Sequence, residues 1–345
     1  MEQQKKLTPH MRHYEEFATG DIRWMPYVMF FNRPDFRSPV VNTDAGGFRM
    51  SAGKSGAYSL RGTLPKGDVS VLLGASPAFG FGATSDAATL SSLLSRGPAS
   101  ATWLNLAAPA FNSAQEVLIF LMHRDLLPDI RDIVVFSGLN NLVVAGLPMA
   151  GSGYGQFFFS GEFFRQLGAS NVDQGEQPGW ARGKLAQAAR RIGRGGALEE
   201  EKPELADPEE RIAIALRNTA RDLDRLLELA APTGARVRYV LQPTASWSGK
   251  RFTEEERLLI EENDTERARM WNLFKQILDP AVHTAYAEQV EAACKQRGVP
   301  FLDASRALNT SPDRDRWLFL DQTHLTDEGN RVVTGLIEAE FGLDR

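Results

Sequence analysis

The chain contains very little cysteine: Cys294 is the only one among 345 residues. A single cysteine excludes an internal disulfide, and it also excludes zinc sites that are built on several cysteines. An excess of basic charge is missing as well, since the formal net charge is −5. Because phosphate binding needs a basic surface, this charge argues against nucleic acid as the main partner.

Long apolar runs are also absent. Residues 24–31 are mostly apolar, but a helix needs about 20 such residues to cross a bilayer. Residues 1–6 are polar and charged, and no apolar segment of the kind found in secretory signal peptides follows them. We therefore expect a cytoplasmic protein with no membrane span.

What the chain does have is an alternation of short apolar runs with helical patterns. Five runs have the length of a buried strand, and small or polar residues follow each of them. These runs are 69–73, 102–106, 132–136, 236–241 and 299–302. Helical patterns occupy 87–94, 113–127, 208–229, 254–278, 281–297 and 327–341. The alternation predicts an α/β fold, a three-layer α/β/α sandwich with a five-stranded parallel sheet.

Two stretches do not follow this alternation. Residues 1–65 contain aromatics, prolines and turn signals, which predicts an N-terminal extension packed on a main domain of residues 66–345. Residues 146–206 form an insertion in that domain, which is first glycine-rich and aromatic, then basic at 182–194 and finally acidic. Glycines and charge blocks of this kind predict a mobile lid or a partly disordered loop.

A serine and a histidine stand at places where they could act together. Ser76 follows the first predicted strand, and Asp321 precedes His324 by three residues near the C-terminal end. Serine is a poor nucleophile until an imidazole takes its proton, and a carboxylate must orient that imidazole. A structural interpretation stays open for each residue, because serines in strand–helix turns often cap helices and Asp321 could cap the last helix.

Two more polar blocks follow the second and third predicted strands, at 105–113 and 137–141. Together with the serine and the Asp-x-x-His motif, they make four blocks in the order of the SGNH (GDSL-type) hydrolase superfamily, which the chain resembles. The resemblance covers about residues 68–341, apart from the insertion. It implies a flavodoxin-like sheet and a serine acyl hydrolase that needs no metal or organic cofactor.

The resemblance also implies a role for particular positions. Ser76 matches the nucleophile, His324 the base and Asp321 the carboxylate that orients the base. The oxyanion hole would consist of the backbone N–H groups of Ser76 and Ala110 and the side chain of Asn140. Preorganised donors of this kind stabilise the charge that develops on a tetrahedral intermediate.

The chain departs from the family pattern at three positions. Ala75 stands where the family has an aspartate, Ala110 replaces a glycine, and Asn141 replaces an aspartate that is common there. An alanine does not easily adopt a positive φ. If the block-two donor needs that conformation, we expect a weakened oxyanion hole.

The leading hypothesis is an esterase or acyltransferase that acts on an acyl ester or thioester, either a small molecule or linked to a carrier. The aromatic residues at 154–164 would then form an apolar lid. One alternative, prompted by the three departures, is a non-catalytic module of the same fold that binds an acyl group or a glycan. Another is a scaffold whose basic 182–194 segment binds an acidic protein such as a carrier protein.

Overall fold

The structure is a computed structural model, and it describes residues 2–18, 23–98, 101–147, 157–158, 206–266 and 274–343. Most of the insertion, including its basic 182–194 segment, lies outside these ranges. The strands in chain order are β1 (Trp24–Met25), β2 (Met29–Phe30), β3 (Ser51–Ala52), β4 (Ala57–Tyr58), β5 (Val69–Gly74), β6 (Thr102–Asn105), β7 (Ile130–Ser137), β8 (Arg236–Leu241) and β9 (Phe301–Asp303).

Five of these strands, β5 to β9, form one sheet in the order β6-β5-β7-β8-β9, and every neighbouring pair is parallel. This is the flavodoxin-like order, so the predicted fold class is confirmed. The last strand begins two residues later than the sequence predicts. Pro300 has no N–H to donate to a neighbouring strand, and its carbonyl accepts from Tyr239 N at 2.9 Å.

The helices are α1 (Glu2–Leu7), α2 (Met11–Ala18), α3 (Ser76–Phe79), α4 (Leu90–Arg96), α5 (Ser113–His123), α6 (Leu139–Ala145), α7 (Pro208–Ala230), α8 (Glu254–Glu266), α9 (Pro280–Gln296), α10 (Ala304–Thr310) and α11 (Asp327–Phe341). Local sequence explains several starts. Asp207 and Asp279 cap α7 and α9, each followed by a proline in the first turn. One predicted helix, 87–94, is divided, because Thr89 caps α4 after a separate 3₁₀ turn at Asp86–Ala88.

The sheet has an apolar layer on each face. Alternate residues of β5 face opposite sides, so Val71 and Leu73 belong to one buried cluster and Leu72 to the other. The helices α5, α7 and α9 contribute to the first cluster, and α4, α10 and α11 to the second. The sheet is therefore the middle of three layers.

Residues from the N-terminal part of the chain enter both layers. Phe31 and Phe48 lie in the first cluster, and Tyr14 and Phe17 lie in the second. The division of the chain at residue 65 stays a prediction, but these side chains are core residues.

The strand order also decides where a site can form. The chain runs from β5 to β6 on one side of it and then crosses to β7 on the other side, so the strand order reverses between β5 and β7. Ligands of such sheets bind beyond the carboxyl ends of the strands at this point. Ser76 follows β5 and Asn140 follows β7, so both lie at this edge.

Candidate active site

Ser76 is the first residue of the one-turn helix α3 and follows the sharp turn at the end of strand β5. The turn depends on Gly74, whose φ is +150° and where a Cβ would come within 2.2 Å of the Phe136 carbonyl oxygen. Only glycine allows the two backbones to approach so closely. Ala75, which replaces the family's aspartate, is 1 % exposed. A carboxylate there would have to be buried, so alanine suits the position.

Asp321 and His324 share a tight turn just before α11. The Asp321 Oδ1 atom accepts hydrogen bonds from the backbone N–H groups of Thr323 and His324, both at 2.8 Å. Leu320 N donates to the carbonyl of His324 at 2.9 Å and closes the turn. One carboxylate oxygen therefore shapes the backbone, and the other is left for the imidazole.

The three predicted triad residues meet in one hydrogen-bonded line. His324 Nδ1 lies 2.7 Å from Asp321 Oδ2, and His324 Nε2 lies 2.9 Å from Ser76 Oγ. Because a carboxylate can only accept, Nδ1 carries the proton and Nε2 is free to accept from the serine hydroxyl. This is the geometry in which an imidazole can act as a general base.

The charge of Asp321 suits the same task. Burial raises the pKa of Asp321, but the imidazole of His324 and the two N–H donors lower it more strongly, and the pKa ends well below its ordinary value. The carboxylate is therefore ionised at neutral pH and can stabilise an imidazolium. The ring of Phe81 packs on the imidazole of His324, with 4.6 Å between the ring centroids.

Ala110 corrects one expectation from the sequence. It has a φ of +65°, so the alanine does adopt the left-handed conformation that glycine favours. This conformation costs an alanine about 1 kcal/mol, and the surrounding fold supplies that energy. A positive φ at this position is therefore compatible with alanine in this chain.

Asn140 is the second residue of α6 and is 8 % exposed. Its Nδ2 donates to the Phe111 carbonyl at 2.7 Å, which connects the second and third sequence blocks. An amide carries two N–H donors, and the other one has no partner among the described residues. The assignment of Ala110 and Asn140 to an oxyanion hole stays a prediction.

Asn141 has a structural place of its own. Its Oδ1 accepts from Ser113 N at 3.0 Å, and its Nδ2 donates to Thr219 Oγ1 at 2.7 Å. Both ends of the amide are used to join α6 to α5 and α7. The third departure from the family pattern is therefore a packing feature of this chain.

Several residues that support the site were not identified from the sequence. The buried Glu256 accepts from Leu318 N at 2.9 Å and Phe319 N at 3.1 Å, just before the turn that carries Asp321. Gln322 accepts from Ser246 Oγ at 2.8 Å. No local signal marks these residues, because each contact joins segments that are far apart in the chain.

Other sequence predictions are tested only in part. Phe157 and Phe158 are half-buried and pack against the first apolar cluster, while the remaining aromatics of 154–164 lie outside the described residues. Within the described ranges, no group of three or more His, Cys, Asp or Glu side chains is arranged to hold a metal ion. In the same ranges, no helix is both long and apolar enough to cross a membrane.

The chain is similar in fold to several solved structures. These include a GDSL-like lipase from Bacteroides thetaiotaomicron (13 % identity, 79 % of this chain and 87 % of that one, TM-score 0.41). A lipase/acylhydrolase from Enterococcus faecalis shares 13 % identity over 79 % and 95 % of the two chains, with a TM-score of 0.38. A catalytic mutant of an acetylxylan esterase from Geobacillus stearothermophilus shares 10 % identity over 81 % and 96 %, with a TM-score of 0.39.

No family model and no curated protein matches the chain. Likenesses as distant as these say nothing about activity, which has to be inferred from the side chains of this protein. The strand order of this protein and the positions of its four blocks describe its fold and motif order more directly than these comparisons do. The chain has the flavodoxin-like strand order, and its four blocks follow one another in the order that the sequence resemblance to the SGNH (GDSL-type) hydrolases implies.

Proposed function

We propose that the protein is a serine acyl hydrolase or acyltransferase that acts on an ester or thioester through an acyl-enzyme. The observation that carries the proposal is the unbroken line from Asp321 Oδ2 to His324 Nδ1 and from His324 Nε2 to Ser76 Oγ, at 2.7 Å and 2.9 Å. It lies at the carboxyl edge of the sheet, where this fold binds ligands.

In the proposed mechanism, Ser76 Oγ attacks the acyl carbonyl carbon while His324 Nε2 takes the hydroxyl proton. The tetrahedral intermediate then collapses, the bond to the leaving group breaks, and the imidazolium returns the proton to that group. Water or an alcohol next attacks the acyl-enzyme, giving its proton to His324, and Ser76 leaves with that proton. Asp321 stays ionised and stabilises the imidazolium in both halves of the reaction.

The developing oxyanion would be bound by the backbone N–H of Ser76, the N–H of Ala110 and the amide of Asn140. The left-handed conformation of Ala110 and the buried position of Asn140 support this assignment, since both donors are held by the fold before any substrate binds. The reaction uses no metal or organic cofactor. The proposed substrate is an acyl ester or thioester that is either a small molecule or linked to a carrier.

The alternative of a non-catalytic module was prompted by Ala75, Ala110 and Asn141. Each of these residues has a structural place that leaves the triad geometry undisturbed. This favours the catalytic hypothesis. The basic 182–194 segment, on which the scaffold hypothesis depends, lies outside the described residues.

The proposal is tested by reaction with a fluorophosphonate probe, followed by intact-protein mass spectrometry. We expect one covalent adduct on the wild type and none on Ser76→Ala, because only an activated serine attacks the phosphorus. His324→Gln should label much more slowly, since the base is lost. Ser85→Ala serves as the matched control and should label like the wild type. A folded wild type that forms no adduct would contradict the proposal.

A further inference from the structure

Arg49 is a fully buried arginine that lies beside the turn carrying Ser76, although it comes from a distant part of the chain. Its exposed fraction is 0 %, and it stands just before β3, in the N-terminal part of the sequence. Burying a guanidinium is costly unless its donors are satisfied. The hydrogen-bond partners of Arg49 therefore indicate which part of the structure this buried side chain stabilises.

The guanidinium of Arg49 joins the end of α3 to the 3₁₀ turn at Asp86–Ala88. Nη1 donates to the carbonyl of Gly80 at 2.7 Å and that of Phe79 at 3.3 Å, and Nε pairs with Asp86 Oδ1 at 2.9 Å. The guanidinium carbon also lies 5.1 Å from the centroid of the Phe79 ring. A cation at the last carbonyls of a helix is favourable, because those groups lack partners within the helix.

Tyr14, from α2, binds the same turn. Its hydroxyl lies 2.8 Å from the carbonyl oxygens of both Gly80 and Ala83, and it accepts from Arg49 Nη1 at 3.1 Å. Its ring packs on Phe81, with 4.6 Å between centroids. Tyr14 and Arg49 thus hold residues 80–83 from one side.

The turn at residues 80–83 touches both ends of the proposed Ser76–His324 pair. Phe81 N donates to the Ser76 carbonyl at 2.9 Å, and the Phe81 ring packs on the His324 imidazole at 4.6 Å. A displacement of Phe81 would therefore move the imidazole relative to the serine hydroxyl. Residues in such supporting contacts are what hold a catalytic geometry in place.

We propose that Arg49 and Tyr14 are positioning residues for the Ser76–His324 pair. They touch neither the substrate nor the reacting atoms; they hold Gly80 and Phe81, and Phe81 holds the imidazole. The N-terminal part of the chain is then required for turnover as well as for folding. This inference depends on the proposed acyl hydrolase function.

The first test is the steady-state kinetics of Tyr14→Phe and Arg49→Met on an ester that the wild type hydrolyses. Tyr14→Phe keeps the ring and removes only the hydroxyl, so we expect a folded protein. Its kcat should fall about tenfold and that of Arg49→Met about 10²-fold, with KM within about twofold, because misplaced groups affect the transition state more than ground-state binding. Arg49→Lys should recover part of the lost kcat.

Arg238→Met is the matched control. Arg238 is also buried, pairs with Asp132 and lies 5.6 Å from the ring of Phe341. Asp132 lies near the start of β7, at the opposite end of the sheet from Ser76. This variant should lose stability but keep the kcat of the wild type. If its kcat falls as much as that of Arg49→Met, or if Tyr14→Phe has the wild-type kcat, the proposal is wrong.

The second test does not depend on activity. The chain has five histidines, so the His324 imidazole can be assigned in an NMR spectrum by its loss in His324→Gln. Its chemical shifts report the ring current of Phe81, and we expect them to move in Tyr14→Phe. Unchanged shifts in that folded variant would overturn the positioning role. A wild type without turnover or probe adduct would refute the proposed function, while the shifts would still decide whether Tyr14 positions the ring.

Discussion

At the scale of single residues, Asn140 and Asn141 are neighbours whose side chains have different tasks. Asn140 donates one N–H to the Phe111 carbonyl, and the proposed mechanism assigns its second N–H to the oxyanion. The amide of Asn141 is used at both ends, by Ser113 and Thr219. Asn140 thus has a proposed catalytic role, whereas the adjacent Asn141 has a structural one.

We expect Asn140→Ala to lower kcat by about 10²–10³, the usual effect of losing one oxyanion donor. Asn141→Ala should instead lower the free energy of unfolding by about 1–3 kcal/mol, because it leaves buried partners unsatisfied. Ester hydrolysis and urea denaturation of both variants make the comparison. The reverse pattern, in which Asn141→Ala loses turnover and Asn140→Ala keeps it, would contradict the assignment.

At the scale of elements, the segment before α11 is held by the N-terminal end of α8. Glu256, in the first turn of α8, accepts from the backbone of Leu318 and Phe319 and forms an ion pair with Lys250. The side chains of Lys250 and Glu256 are both 0 % exposed. The turn with Asp321 and His324 follows this anchored segment directly. Glu256 thus holds this segment through two backbone hydrogen bonds, and its other carboxylate oxygen pairs with the buried Lys250.

We expect Lys250→Met to lower the free energy of unfolding by about 3–5 kcal/mol, because it leaves an unpaired charge inside the protein. The double variant Lys250→Met/Glu256→Gln should be more stable than this single variant, since neither partner is then charged. Urea denaturation of the three proteins measures both effects. Equal stabilities of the single and double variants would show that the charge of Glu256 does not cause the loss of stability in Lys250→Met.

At the scale of the whole molecule, the global stability should depend on a carboxyl group that is buried between sheet and helix. Glu116 of α5 is 2 % exposed and accepts from Ser137 Oγ, at the end of β7, at 2.6 Å. Burial raises the pKa of Glu116 to about 8; the Ser137 hydrogen bond opposes this shift and the charge of Asp222 adds to it. The native carboxyl therefore keeps its proton at neutral pH.

The raised pKa of Glu116 determines the direction in which the stability of the protein changes with pH. In the unfolded chain Glu116 loses its proton near the ordinary value of 4.5, whereas the native protein keeps it up to about pH 8. The native state binds more protons in this interval, so the contribution of Glu116 to the free energy of unfolding falls as the pH rises from 4.5 to 8. We expect Glu116→Gln to reduce the difference in stability between pH 5 and pH 8. Denaturant titrations of the wild type and the variant at pH 5 and pH 8 measure this. The same difference in stability between the two pH values in both proteins would contradict the prediction.

The N-terminal part of the chain also belongs to the whole-molecule scale. Phe31 and Phe48 fill one face of the sheet, and Tyr14 and Phe17 fill the other. Removing 1–65 would expose both apolar layers, so we expect the shortened chain not to fold. Circular dichroism and dye binding would check this. A cooperative thermal transition of the shortened chain would show that 66–345 is an independent domain.

Much of the fold could be predicted because its signals are local. An apolar run, or a helix start such as Asp207-Pro208, involves only a few neighbouring residues. The strand β8, for example, is found at the predicted residues. Errors arose where a single residue overrides the pattern, as Pro300 does at the start of β9 and Thr89 at the start of α4. The one-turn helix Ser76–Phe79 is too short to give a periodic signal.

The alternation of strands and helices, and the positions of Ser76 and Asn140 after strands, follow from the amino-acid sequence alone. Both are properties of short segments, and parallel strands bring their carboxyl ends to one edge. The contacts of Arg49 with Gly80 and of Glu256 with Leu318 depend instead on the packed fold, because they join residues that are 31 and 62 positions apart in the chain. Such contacts leave no local pattern, because a buried polar group is stabilised by whichever partner the packed fold brings to it.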